Sequence, residues 1–307
     1  MLEAQYAPAA GKIGTTAIYK DSSAIVGWAK KCTIVRGPDD ISSASPVYPT
    51  TGTEQSALGQ ADGLDVISLG DGGSATLEFE SPILNGPGPD FAVFENSFSS
   101  DFLELAFVEV SSNGSDFVRF PAVSLTDTAV QVSSFGTLDA TKIHNLAGKY
   151  AAKYGVPFDL EVLKDSLNID LTSITHVRIV DVVGSVDPLH ASYDSQGRPI
   201  NDPWPTNFPS GGFDLDAVAV INSSGTFIAK SEERDFRIYP VPAQNYLAIE
   251  TIEAGLEAWQ VFDAQGQLVA AGGPTSKINC GHWKNGLYFL SLIINGELQR
   301  EKFLVEH

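Results

Sequence analysis

Apolar residues recur along this chain mostly in short period-two runs, which predict strands at Ala75–Phe79, Phe91–Phe94, Leu105–Val110, Phe117–Phe120, His176–Val182 and Ala217–Ile221. Clusters of turn-forming residues separate them, among them Asn85-Gly-Pro-Gly-Pro-Asp90 and Ser111-Ser-Asn-Gly-Ser-Asp116. Asn113-Gly114 supports a tight hairpin turn, so Leu105–Val110 and Phe117–Phe120 are expected to pair antiparallel. Helical spacing stands out over Asp139–Tyr154. Ile143, Leu146, Ala147 and Tyr150 fall there at helix intervals between an Asp139 N-cap and a Gly155 stop. Many short strands and a lone helix predict an all-β protein, its N-terminal part a jelly-roll-like β-sandwich with one helix.

Near residue 230 the pattern changes. Lys230-Ser-Glu-Glu-Arg-Asp235 is almost wholly charged and reads as an exposed linker. Beyond it, Phe236–Glu250, Ala258–Asp263 with its turn Ala264-Gln-Gly266, Gly281–Leu290 and Lys302–Val305 supply several short strands. They suffice for a small C-terminal immunoglobulin-like β-sandwich. The expected domains are therefore 1–230 and 236–307, and a chain of 307 residues also suits two domains.

The C-terminal stretch resembles the type A sorting domain of type IX secretion cargo in certain Gram-negative bacteria. The family's Tyr-Pro-Asn-Pro opening stands here as Tyr239-Pro240-Val241-Pro242, with one departure at Val241. Its Gly-Ile-Tyr-hydrophobic signature stands as Gly286-Leu287-Tyr288-Phe289-Leu290, and its basic-apolar tail as Lys302-Phe303-Leu304-Val305. The resemblance implies passage across the outer membrane on the type IX machinery, and in many members removal of this domain followed by attachment to the cell surface.

Charge narrows the partners. The net charge is −19, and 31 of the 38 acids but only 14 of the 19 bases precede residue 236. A surface so acidic repels phosphate backbones and anionic lipid heads and favours cations, which argues against nucleic acid as a partner. The same balance also serves simply to keep an extracellular protein soluble. Cys32 and Cys280 are the only cysteines and fall in different expected domains, so two free, buried thiols are expected. No apolar run approaches the roughly 20 residues that span a bilayer, and the chain is expected not to be membrane-spanning. Its opening residues lack a signal-peptide pattern, so it reads as a mature form.

Three motifs place acids on or beside strands: Asp90-Phe-Ala-Val-Phe-Glu95-Asn96, Arg178-Ile-Val-Asp181 and Gly211-Gly-Phe-Asp214-Leu-Asp216. Strict alternation puts Asp214 and Asp216 on one face, where two carboxylates repel unless a cation joins them. Calcium takes such oxygen ligands, and Glu95, Asp181, Asp214 and Asp216 are the candidate set. The alternative is that each is a hydrogen-bonded turn or strand-end carboxylate. Zinc is disfavoured because His144, His176, His190, His282 and His307 have no paired helical spacing.

The long segment Gly184–Ser210 carries Asp187, His190, Tyr193, Asp194, Asp202, Trp204 and Phe208 among prolines and glycines, and structureless loops of that length usually carry function. Trp204, between two prolines, reads either as a plate for a sugar ring or flat ligand or as a plug for the end of the sandwich. Trp28 has the same two readings. With Asn96, His190 and Tyr193 these tryptophans form the candidate ligand-binding set. No nucleophile elbow, His-Glu-x-x-His or phosphate loop occurs, and no catalytic residue is assigned.

The phrases Phe91–Asn96, Glu104–Ser111, Asp202–Thr206 and Gly211–Val218 resemble a group of bacterial cell-surface proteins of poorly defined activity, over most of residues 15–222. The resemblance implies calcium-stabilised jelly-roll modules related in style to carbohydrate-binding modules, with some members linked to corrinoid uptake. The expected function is calcium-dependent binding of an extracellular glycan or small molecule. A glycoside hydrolase using a carboxylate pair drawn from residues such as Glu95, Glu104 and Glu109 comes second, and an adhesive or structural role third.

Overall fold

A computed structural model describes residues 6–223, 236–251, 255–263, 267–294 and 297–307. The charged stretch 230–235 and the turn 264–266 lie outside the described residues. The chain forms two compact units, Met1–Phe227 and Ile228–His307, and it is all-β. Among the described residues no helix is long and apolar enough to cross a membrane.

The N-terminal unit is built on two antiparallel sheets. One orders its strands Lys31–Val35, Ser74–Ile83, Ile174–Asp181, Ala106–Ser111 and Val118–Arg119. The other runs Ile18–Tyr19, Tyr154–Phe158, Phe91–Glu95, Asp214–Val220 and Gly27–Trp28, with Ile67–Ser68 paired to the start of Asp214–Val220. The core lies between them, because alternate residues of each strand turn inward. Ala75, Leu77, Val108, Val110, Val177 and Ile179 come from the first sheet and meet Phe91, Val93, Phe158, Leu215, Val218 and Val220 from the second. The predicted hairpin forms, pairing Glu109 with Arg119 and Val110 with Val118. On the outer face Glu109 is clamped by Arg119 at 2.7 Å and Arg178 at 2.5 Å, which commits it to an ion-pair network. Arg119 and Arg178 also cover the rings of Phe107 and Phe117.

Every residue of Asp214–Val220 is buried, since its outer face is covered as well. Ala217 and Ala219 pack there with Ala92 and Phe94 beneath Trp28. A register shift between Leu215 and Ala217 interrupts the alternation of this strand. Such a bulge re-aims the side chains beside it.

The helix expected over Asp139–Tyr154 does not form. Asp139 does cap, accepting from Thr141 N at 2.9 Å, but the turn it caps is a single 3-10 turn, Ala140–Lys142. Asn145 at φ 51° and Gly148 at φ 79° then carry the chain out of helical space. Ala147 instead exchanges backbone hydrogen bonds with Ala106. Ile143, Leu146, Ala147 and Tyr150 are all buried, so their spacing recorded burial without recording conformation.

The C-terminal unit has a three-stranded sheet, Phe236–Tyr239, Tyr246–Thr251 and Lys277–Asn279, and a four-stranded one, Leu268–Gly272, Leu256–Asp263, Gly286–Ile294 and Glu297–Val305. Their inner faces share one core of Leu247, Ile249, Val261, Leu290, Leu292 and Phe303, with Trp259 and Trp283 at its margins. Cys32 and Cys280 are both free and buried in their respective units. Burial pushes the Cys32 thiol up to about 12, which keeps it protonated and unreactive.

Candidate functional site

Loops at one end of the N-terminal sandwich enclose a cavity of about 250 Å³. Its walls come from the chain leaving strand Phe91–Glu95, from Ser134 and Phe135, from Thr206–Ser210, and from Asp214 at the start of its strand. Ser134 Oγ donates to Pro205 O at 2.7 Å and ties two of these segments together. Side-chain amides of the buried Asn201 and the half-buried Gln131 hold the long loop behind them. Asn201 Nδ2 donates to the Asp127 and Val130 carbonyls at 2.6 and 2.8 Å, and Gln131 Nε2 reaches Gly184 O at 3.0 Å. Segment 184–210 is thus an ordered wall, although it has little regular structure of its own.

The rim is aromatic. Phe98 stacks on Phe102 with centroids 4.5 Å apart, Phe135 follows at 6.2 Å, and Phe208 stands 5.4 Å from Phe135. Phe98 and Phe135 are 75% and 68% exposed, an uncommon state for side chains that could pack into a core, and they sit together around one opening.

The floor is acidic. Glu104 and Asp214 line the cavity, and the buried Glu95 lies close enough for their charges to act on one another. Glu95 Oε2 accepts from Ser97 N at 2.8 Å, whereas Oε1 is buried with no partner among the described residues. Burial, then the charge of Glu104, pushes the Glu95 carboxyl well above the usual range. Burial, then Asp214 and Asp181, does the same to Glu104. Asp214 accepts from the Ser68 hydroxyl and from the Asn96 side chain, and burial still takes it up to about 6.

Further carboxylates crowd behind these. Asp181 is gripped by Phe213 N at 2.7 Å and Gly72 N at 2.9 Å, an arrangement that requires Gly212. A Cβ on Gly212, which sits at φ 74°, would stand 2.9 Å from Asp181 Oδ1 and 2.8 Å from Gly70 N. Asp202 accepts from Leu105 N at 2.8 Å, and Asp71 accepts from Ile41 N at 2.8 Å and from Trp204 Nε1 at 3.0 Å. Burial, reinforced by neighbouring carboxylates, raises all three, Asp181 and Asp202 strongly. Among the described residues no group of three or more His, Cys, Asp or Glu is arranged to hold a metal ion.

The candidate residues from sequence divide accordingly. Glu95 and Asp214 share the acidic floor, and Asn96 lines the cavity beside them. Asp181 lies within their field, with its oxygens occupied by backbone amides. Asp216 stands apart, bound to Asp62 N at 3.2 Å and Gly63 N at 2.9 Å, because the bulge separates it from the alternation that would have kept it with Asp214. Trp204 is half-buried and anchored through its indole to Asp71. Trp28 packs at 5.4 Å on Phe94 under the outer face of its sheet. Tyr193 makes a bridge with Pro199, and the His190 amide donates to Asp187 O in the same loop, so neither lines this cavity. Glu104 enters the floor although it was absent from the candidate metal set. The aromatic rim was missed altogether. The nearest signal was a pair of phenylalanines in the polar run Asn96-Ser-Phe-Ser-Ser-Asp-Phe102.

Fold and site together define an all-β protein with an acidic, aromatic-rimmed pocket at one end of its N-terminal sandwich. Residues 237–306 match the family described as the secretion system C-terminal sorting domain. The protein is accordingly type IX secretion cargo, exported across the outer membrane to a secreted or cell-surface location. None of the curated protein sequences matches the chain. Solved structures of the β-glucuronidase of Ruminococcus gnavus are similar at 12% identity and a TM-score of 0.24, over 90% of this chain and 43% of that one. The same enzyme in complex with uronic deoxynojirimycin is similar at 14% identity and a TM-score of 0.24, over 91% and 44%. The chain spans less than half the length of that enzyme, and a likeness so slight carries no argument about function.

Proposed function

We propose that this exported protein binds an extracellular glycan or small molecule in the Phe-rimmed cavity, with calcium held at the cavity floor. The observation that carries the reading is that Glu104 and Asp214 line the same cavity as the four phenylalanines, with the buried Glu95, one of whose oxygens has no partner among the described residues, within reach of their charges. Carboxylates so placed repel one another unless they are protonated or share a cation. Calcium suits them because it accepts irregular sets of carboxylate, amide and ligand oxygens. Glu95, Glu104 and Asp214, with the Asn96 amide, would hold it once their side chains rearranged around the ion. Bound there, it would neutralise the floor and fix the surrounding loops. The rings then offer stacking faces for a sugar ring or for the edge of a larger flat ligand such as a corrinoid. Trp204 supports this pocket from behind, through Asp71.

Calorimetric titration of calcium into chelator-treated protein is expected to give saturable heat and a rise in melting temperature, both lost in Asp214→Asn. Glycan-array and corrinoid binding, measured with and without calcium, should weaken on Phe135→Ala and Phe208→Ala. The absence of both heat and melting shift ends the calcium reading. Undiminished binding by the two Phe variants moves the ligand elsewhere.

Hydrolysis is the second reading, supported by Glu104 at the cavity wall, whose carboxyl burial and then Asp214 and Asp181 push upward, the direction a general acid requires. Release of reducing sugar from polysaccharides, lost in Glu104→Gln, would favour it over binding alone.

A further inference from the structure

A second cavity, of about 330 Å³, opens on the N-terminal unit and shares no lining residue with the Phe-rimmed pocket. Its size lies at the small end of the range for ligand sites, roughly 300–1,000 Å³. Lys149 lines it while only 4% exposed. Its ammonium donates to Ile143 O at 2.8 Å, and among the described residues that carbonyl is its only hydrogen-bond acceptor and no carboxylate pairs with it. An ammonium carries three N–H donors, and a buried charge persists where something balances it. Burial draws the Lys149 amine down to about 8, against the opposing field of Asp139, so it remains mostly protonated at neutral pH.

The surrounding walls are apolar and flat. Tyr6 and His144 lie parallel, with centroids 4.6 Å apart and an interplanar angle of 2°, and Val156, Pro157 and Val162 complete the apolar surface. The Tyr150 and Thr16 hydroxyls bond each other at 2.8 Å, which leaves them partly satisfied. Asp159, at the cavity edge, is engaged in capping the turn that follows it, through Glu161 N. The protein's charge of −19 opposes polyanions at long range, which favours a ligand with a single negative charge over a polyphosphate.

We propose that this cavity is a binding site for a small aromatic monocarboxylate, its carboxylate on Lys149 and its ring along the apolar wall beside Tyr6 and His144. A charge-assisted bond to Lys149 would supply the discrimination between an acid and its amide. The site does not depend on calcium or on the Phe-rimmed pocket.

The probes are benzoate and phenylacetate against benzamide and phenylacetamide, titrated into the full chain by calorimetry. The two acids are expected to bind at least about tenfold more tightly than their amides, and Lys149→Met should bring acid and amide to the same affinity. In wild-type protein with isotopically labelled lysine, saturating benzoate should shift the Lys149 side-chain resonance. This measurement decides the matter even if Lys149→Met fails to fold. Failure of both acids to bind, equal affinity for acids and amides, or an unmoved Lys149 resonance at saturation overturns the proposal.

Discussion

Glu104 and Asp214 reach one cavity from stretches of chain more than a hundred residues apart, and their electrostatics set opposite expectations with and without an ion. In metal-free protein Glu104→Gln removes a carboxyl whose ionisation is disfavoured in the fold by burial and by Asp214 and Asp181 but free in the unfolded chain, so at pH 7 it should raise the melting temperature by roughly 2–4 °C, about 1 kcal/mol for a unit of this size. The same variant should lose most of the stabilisation that calcium gives the wild type. Differential scanning calorimetry with chelator and with calcium checks both halves. A variant that destabilises the metal-free protein would show that Glu104 makes a favourable contact there. The pH response follows from the same burial. Asp214 and Asp216, ordinary at 3.8, are taken up to about 6 in the fold. Between those values the native state holds protons that the unfolded chain has released, so these two groups should make metal-free stability fall as pH rises from about 4 to 6, and the strongly raised Glu95, Glu104, Asp181 and Asp202 should carry the fall to higher pH. Asp214→Asn should flatten part of that fall, and melting temperatures taken across the window measure it.

At the scale of elements, period-two alternation located the strands because inward residues had a core to meet. Leu77, Val108 and Ile179 each fill the inner position that alternation assigns them. Two features defeated it. A single register shift sent Asp216 to the Asp62–Gly63 loop, and nothing in Asp214-Leu-Asp216 announces a bulge. In Asp139–Tyr154 four buried residues matched helical spacing by coincidence, while the backbone bent through Asn145 and Gly148. Gly148 can be tested directly. Its φ of 79° disfavours a side chain, and a Cβ there would stand 1.7 Å from Glu104 O. Gly148→Ala should cost more than about 2 kcal/mol and weaken calcium binding through displacement of Glu104. Equilibrium denaturation with urea would measure the loss. The aromatic rim was illegible for another reason. Phe98, Phe135 and Phe208 are scattered phenylalanines in polar loops, and only the folded chain brings them around one opening.

For the whole molecule, the export signal was the most legible feature, because it is written in contiguous motifs that require no tertiary folding to be read. Tyr239-Pro240, Gly286–Leu290 and Lys302–Val305 all fall within the matched segment 237–306. Removing residues 236–307 should abolish delivery past the outer membrane while the N-terminal sandwich, which has a core of its own, still folds. Cell fractionation and surface labelling of the truncated chain would report this, with circular dichroism of the purified N-terminal unit as the folding control. Delivery of the truncated chain to the surface would place the export signal elsewhere.

The acidic floor is the point on which the functional account turns, and a crystal structure of the protein grown in calcium addresses it most directly. The account predicts an ion beneath the phenylalanine rim, with oxygens of Glu95, Glu104 and Asp214 at roughly 2.3–2.6 Å. Those three carboxylates paired with one another and no ion between them, in crystals grown at millimolar calcium, would contradict it.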